Sequence, residues 1–314
     1  MAADTPAGSP AGAPGEPNHG IRIFIPWLIL SVVADVLIWV VWGPHLPPGD
    51  MSSSASSQQF DIRVLAVAAA PVAIFVWVYF SYALVVWRHR EGDQADGPAI
   101  HGNTRISVIW ITVSSVIVLG LFVFGTVQLI VPQGAGAGEG AQPIWKPSGG
   151  SVLQVQVIAQ QWKFTYRYPQ FGGFQTTDLV LPVGQWVEFH VTSIDVIHDF
   201  WAYQLGVKAD ANPDVDNIAY TKINHTGSIT VRCDELCGLW HGAMFDFGQA
   251  LPLSAFDSWA QSTEVRLAAV TKMLPPYATT YDPAMVAQMS KAMVAAGLTG
   301  AAGLYYPPTD PLQP

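Results

Sequence analysis

Two thiols, an imidazole and a thioether fall within twelve residues of one another, in the stretch Cys233-Asp234-Glu235-Leu236-Cys237-Gly238-Leu239-Trp240-His241-Gly242-Ala243-Met244. Soft and borderline donors at this density suit copper better than calcium or magnesium, which take oxygen ligands. Cys233 and Cys237 are the only cysteines in the chain. His198, in Ser193-Ile194-Asp195-Val196-Ile197-His198, lies upstream and could fold back onto the cluster. Taken alone, the residues leave three chemistries open. They could hold copper, they could form a Cys233 to Cys237 disulfide in an oxidising compartment, or Cys233, Cys237, His198 and His241 could hold a structural zinc.

A cluster of this kind needs a rigid frame, and the periodicity of the preceding hundred residues supplies one. From Ser151 onward the apolar pattern has period two. Leu153, Val155 and Val157 alternate with Gln154 and Gln156, and Trp186-Val187-Glu188-Phe189-His190-Val191 alternates in the same way. Ile229, Val231 and Cys233 alternate with Thr230 and Arg232, which brings Cys233 out of its strand on the apolar side. Short alternating runs punctuated by Gly, Pro and Asp predict an all-β sandwich or barrel over 151–256. The cluster is then a loop held by that scaffold.

The rest of the chain is a different kind of polymer. Of 314 residues half are hydrophobic, and 14 Lys and Arg stand against 23 Asp and Glu, too apolar and too weakly charged for one soluble domain. Three runs, of about 23–42, 64–87 and 107–131, have the roughly 20 apolar residues that a bilayer crossing takes. Trp27, Trp39, Trp42, Trp87 and Trp110 lie toward their ends, as interfacial anchors do. Arg88, Arg90 and Arg105 flank the connection between the second and third runs, whereas the first connection has only Arg63 at its edge. The positive-inside rule makes the 88–106 loop and the N-terminus cytoplasmic and everything after residue 131 external. Asp35 is the one acid inside the spans; an ionisable group at that depth faces protein or water.

Residues 1–20 are small residues, Pro and Gly, read as a flexible tail without the basic start of a signal peptide. Residues 132–150 read as a linker leaving the membrane region of 21–131. Beyond the outer domain, 257–314 reads as a helical and Pro-rich extension. Ser254 with Asp257 predicts a capping box for a helix to about Met273, and Asp282-Pro283 opens a second helix closed by Gly297. Acidity without a basic cluster argues against nucleic acid as a partner. No Cys-x-x-Cys-His is present, so no c-type haem is attached to this chain.

The pattern Cys-x-Glu-x-Cys-x3-His-x2-Met after an Asp-Val-x-His resembles the binuclear copper A centre of cytochrome c oxidase subunit II, in the haem-copper oxidase family. The resemblance covers roughly residues 64–259. It implies a cupredoxin-type Greek-key barrel on transmembrane helices, one more helix here than the family's usual pair, with Phe256 and Trp259 in the closing segment. It implies as copper ligands His198, Cys233, Cys237, His241, Met244 and, through its backbone carbonyl, Glu235. Two thiolates can be shared by two ions, one histidine can complete each, and weak axial donors let both oxidation states keep nearly one geometry.

It further implies that the Glu235 carboxylate, with Asp210 nearby, reaches Mg2+ or Mn2+ at the contact with the catalytic subunit. Gln161-Trp162-Lys163-Phe164-Thr165-Tyr166 is similar to the family's aromatic segment, which makes Trp162 the point of electron entry; Phe164 stands where a second Trp is usual. The duller reading of that segment is a strand with an aromatic face in the core. The expected function is electron entry into a terminal oxidase of a prokaryotic plasma membrane, the copper domain on the outer side. Electrons come from a c-type cytochrome and pass to haem in subunit I, where oxygen is reduced to water with proton translocation; further oxidase subunits and membrane lipid are the other partners. Alternatives are a copper A subunit of a membrane nitric oxide reductase and a quinol oxidase subunit II, which lacks the copper ligands. Ser107 replaces a family Glu before the Trp of the last span, at the mouth of a proton path. Acids outnumber bases by six over 132–314, and Asp178, Asp195, Asp199, Asp214 and Asp216 are candidates for steering a basic donor.

Overall fold

A computed structural model describes residues 17–46, 49–88, 102–130, 146–275 and 277. The predicted tail before residue 17, most of the 132–150 linker, Arg90 and the helix expected at 282–297 lie outside them. Among the described residues, three helices are long and apolar enough to cross a membrane. Helix α1, His19–Val36, continues as a π-helical stretch over Leu37–Trp42; α2 is Ser53–Val86 and α3 is Thr104–Ile130. Asn18 caps α1 by accepting from the Ile21 amide. Helices α1 and α2 are stitched by Trp27 Nε1, which donates to the Pro71 carbonyl at 2.8 Å, and by a 2.6 Å contact between His19 and the Tyr82 hydroxyl. Asp35 and Ser31, one turn apart on α1, have shielded side-chain oxygens with no hydrogen-bond partner.

The second helix begins eleven residues before its expected start at 64. Residues 51–58 pack on the β-domain, and tertiary contacts hold this polar stretch in place where hydropathy gives no signal. Met51 enters the β-domain core, Ser52 Oγ donates to the Leu205 carbonyl at 2.6 Å, and Gln58 Nε2 donates to the Gly206 carbonyl at 2.8 Å. A Cβ on Gly206, whose φ is +62°, would lie 2.6 Å from the Ala55 nitrogen, so glycine is required by both conformation and space. This contact puts the first connection on the same side as the β-domain, in keeping with three spans.

The β-domain is a sandwich of two five-stranded sheets. The first has the order β3 (Phe174–Thr176), β2 (Lys163–Tyr168), β1 (Val152–Gln160), β5 (Trp186–Ser193) and β8 (Asn217–Lys222). The second has the order β4 (Leu179–Pro182), β10 (Phe245–Leu251), β9 (Gly227–Cys233), β6 (His198–Ala202) and β7 (Val207–Ala211). β1 runs parallel to β5 and β4 to β10, while the other pairings are antiparallel. The predicted alternation holds: Val155, Val157, Val187, Phe189, Ile229 and Val231 are buried, and the Gln154, Gln156, Glu188, His190, Thr230 and Arg232 between and beside them are more exposed.

Phe200 sits at the centre of the core, its ring 5.2 Å from Phe189, 5.8 Å from Phe164 and 6.3 Å from Tyr166. Burying a ring of this size contributes roughly 1.5–3 kcal/mol. Helix α4, Leu253–Thr271, lays Phe256 and Trp259 against Tyr168 and Phe174. The expected Ser254–Asp257 capping box is absent. The helix starts at Leu253 with Pro252 as N-cap and no side-chain cap, so Ser254 already lies inside the first turn and cannot cap it.

Candidate metal centre

Two strand ends and one loop build the centre. His198 opens β6 and Cys233 closes β9, and these strands are neighbours with Phe200 opposite Cys233. Register alone therefore brings the His198 Nδ1 to 3.7 Å from the Cys233 Sγ. The loop 234–244 then turns back. Cys237 Sγ comes to 3.5 Å from Cys233 Sγ, His241 Nδ1 to 3.6 Å and Met244 Sδ to 3.8 Å from Cys237 Sγ, and the Glu235 carbonyl oxygen to 3.2 Å from Cys233 Sγ. Both cysteines are free thiols, with sulfurs far beyond the roughly 2.0 Å of a disulfide. His198 is fully buried, and Cys233, Cys237 and Met244 nearly so. All six donors that the sequence singled out thus converge on one place. His198, Cys233 and Cys237 form the tightest group, with ligand atoms within 4.8 Å of one another.

The loop is closed by backbone. The Cys233 amide donates to the Met244 carbonyl at 3.1 Å, and Gly238 takes φ +117°, a conformation that side chains disfavour. The Cys237 carbonyl accepts from Gln161 Nε2 at 2.8 Å and from the indole of Trp162 at 3.2 Å. The turn between β1 and β2 therefore grips the loop. A Cβ on Gly238 would lie 2.8 Å from that Gln161 amide nitrogen.

Asp195 stands behind His198. Its carboxylate lies 2.9 Å from His198 Nε2 and accepts from the Gln161 amide at 2.7 Å and the Val196 amide at 2.6 Å. Burial alone would raise this carboxyl, but the hydrogen bonds from His198 and the two amides hold it below the usual carboxylate range. A carboxylate on the far nitrogen fixes the tautomer that turns Nδ1 toward the sulfurs and raises its basicity. Burial likewise pushes both thiols up. For Cys233, hydrogen bonds from His198, from backbone and from His241 overcome burial and pull it down, whereas Cys237 is raised further by the neighbouring sulfur.

The acids expected to steer a donor divide on inspection. Asp214 is exposed, but Asp195 supports His198, Asp199 is buried, and Asp216 is engaged by His190 and Tyr277 at 2.8 Å each. Burial pushes the Asp199 carboxyl up to about 7 against the nearby Lys208. The Glu235 carboxylate is exposed, and among the described residues neither it nor Asp210 belongs to a group of three ligating side chains. Phe164, Tyr166 and Tyr168 pack in the core, as the duller reading of that strand had it, while Trp162 stays partly exposed against the loop. Sequence reasoning missed Asp195 and Gln161 as supports of the centre. A carboxylate three residues ahead of a predicted histidine ligand was the available signal for the first, and for the second there was none.

A cluster of soft donors at one end of a β-sandwich, on a chain with three membrane-length helices, defines a membrane-anchored metal-binding domain. The family model described as cytochrome c oxidase subunit II, periplasmic domain, matches residues 174–247. The cytochrome c oxidase subunit 2 of Alkalihalophilus pseudofirmus is 31% identical over 253 residues, covering 79% of this chain and 71% of that protein. The Synechocystis subunit 2 is 26% identical over 295 residues, covering 82% and 89%. The quinol oxidase subunit 2 of Bacillus spizizenii is 26% identical over 258 residues, covering 80% and 76%. Among solved structures, the periplasmic domain of subunit II of the Bradyrhizobium japonicum cytochrome oxidase is 29% identical, with TM-score 0.35, covering 36% of this chain and 94% of that one. The chain belongs to the cytochrome c oxidase subunit 2 family.

Proposed function

We propose that this chain is the electron-entry subunit of a terminal respiratory oxidase in a prokaryotic plasma membrane, with a binuclear copper centre on the outer side. It takes electrons from a c-type cytochrome and passes them to haem in subunit I, where oxygen is reduced to water with proton translocation. The observation that carries this reading is the convergence of six donors: two sulfurs 3.5 Å apart, each with one imidazole Nδ1 within 3.7 Å, plus a thioether and a carbonyl. That donor set fits copper, and it sets the chain apart from the quinol oxidase subunits, which lack these ligands. Copper, when bound, would supply one-electron redox chemistry.

The chain's own residues do the rest. Cys233 and Cys237, with His198, His241, Met244 and the Glu235 carbonyl, would hold the copper. Core packing and the surrounding strands exclude water from His198 and both sulfurs. Trp162 links the surface to the centre: its indole is partly exposed and one hydrogen bond from the backbone of Cys237. The exposed Glu235 carboxylate would offer one ligand to Mg2+ or Mn2+ at the contact with subunit I.

Copper analysis and paramagnetic resonance on the purified complex test the reading. Two coppers per chain and a multi-line signal spread over two nuclei are expected. Zinc is d10 and gives no such signal, so one zinc per chain, or a Cys233 to Cys237 disulfide in the mature complex, overturns it. Trp162→Gln should slow electron entry from the cytochrome at least ten-fold while leaving the copper spectrum nearly unchanged. Unchanged entry kinetics return Trp162 to a packing role.

A further inference from the structure

The outer face of the second sheet carries a row of four side chains directly beneath the centre. Strand register sets Phe245 opposite Arg232, Arg232 opposite Trp201, and Trp201 opposite Lys208, so aromatic and cation alternate across β10, β9, β6 and β7. The Arg232 guanidinium lies 4.3 Å from the centre of the Phe245 ring, and the Lys208 ammonium 5.6 Å from that of Trp201. Held over the indole, Lys208 reaches two carboxylates: Asp199 at 3.5 Å and Asp234 at 2.5 Å. Asp199 follows His198 in β6, and Asp234 follows Cys233 at the end of β9. The backbone repeats the link, with the Asp234 amide donating to the Asp199 carbonyl at 3.3 Å.

This is not an ordinary surface ion pair, which is worth little because water competes with it. The Asp199 side chain is 3% exposed, its Oδ1 has no hydrogen-bond partner, and the like-charged Asp210 stands opposite it in register. A buried carboxylate so placed depends on Lys208, the one cation that pairs with it among the described residues. Lys208, whose side chain is 54% exposed, spends its ammonium on that task.

We infer that Lys208 is a positioning residue for the metal centre: by tying the residue after His198 to the residue after Cys233, it fixes one imidazole against one thiol. The inference rests on reading His198 and Cys233 as ligands. It is tested on the full chain, first without metal. Lys208→Met should make the thiols react with iodoacetamide several-fold faster than in the parent, and Lys208→Arg, which keeps a cation able to bridge both acids, should restore the parent rate. In the copper-loaded complex, Lys208→Met should release copper to a chelator about ten-fold faster, the usual loss when an outer support of a ligand is removed. Should Lys208→Met fail to accumulate, Asp234→Asn severs only the exposed half of the tie and should accelerate alkylation less, in the same direction. Alkylation within two-fold of the parent for Lys208→Met, or for Asp234→Asn where it must stand in, overturns the clamp, as does failure of Lys208→Arg to rescue. A parent chain that alkylates as expected but binds no copper leaves the clamp standing and sinks the copper reading instead.

Discussion

The two halves of the centre are built differently. His198 and Cys233 lie at the ends of adjacent strands, inside a hydrogen-bonded ladder, with a carboxylate behind the imidazole. Cys237, His241 and Met244 lie on a loop whose apolar side chains face out, Leu236 at 78% and Leu239 at 81% exposure, and among the described residues no carboxylate pairs with His241. The strand half is set by the fold before any metal arrives. The loop half is held by the short backbone closure at Met244 and by the two donors on the Cys237 carbonyl. The strand half is held by a sheet ladder and the loop half by fewer backbone contacts, so the order of the loop should depend more on a bound metal than that of the strands.

Removing the metal should separate the halves most strongly. Amide exchange over 234–243 should accelerate by on the order of ten-fold or more in the copper-free full chain, whereas β6 and β9 stay within about two-fold of the loaded form. Equal acceleration in both halves would erase the distinction. Next in size is Asp195→Asn, which replaces an acceptor by an amide behind His198. It should weaken copper binding by about 10–100-fold in competition titrations, and the thiol reactivity of Cys237 should change far less than the affinity.

Gly238→Ala addresses the loop half. A side chain at φ +117°, 2.8 Å from the Gln161 amide nitrogen, should destabilise the loop by about 1–3 kcal/mol in thermal or denaturant unfolding of the loaded complex, with Trp162 fluorescence altered. An unperturbed indole would show that the β1–β2 turn does not hold the loop. The smallest effect is expected for Met244→Leu. Losing a weak thioether donor stabilises the oxidised ions less, so redox titration should show a raised potential with both coppers retained. Loss of all copper would make Met244 an anchor of the site and not a tuning ligand.

Much of this was legible in the chain itself, for reasons particular to its elements. The spans are visible because about 20 apolar residues in a row have no other stable use, and the alternation of Val155, Val157, Ile229 and Val231 is visible because a half-buried strand enforces period two. The cluster from Cys233 to Met244 stands out because soft donors are otherwise scarce here, with two cysteines in 314 residues. Capping at Ser254 misled because a proline one residue before the helix set its start, and local pattern does not say which of two adjacent starts wins.

By itself the sequence determined which donors were available, that their frame would be β-structure, and that the frame would be tied to a membrane. Only the tertiary structure decided how they are supported. His198 meets Cys233 through the register of β6 with β9, across 35 positions of chain. Asp195 turns toward the imidazole and not to solvent, Gln161 and Trp162 reach the Cys237 carbonyl, residues 51–58 lie on the β-domain, and Lys208 joins Asp199 to Asp234. Apart from Asp195, three residues ahead of His198, and Trp162, in its aromatic segment, these are contacts between residues whose own neighbours in sequence do not mark them. Side-chain type and spacing report local preference, while the partner of a buried polar group is chosen by whichever distant strand the packing brings beside it.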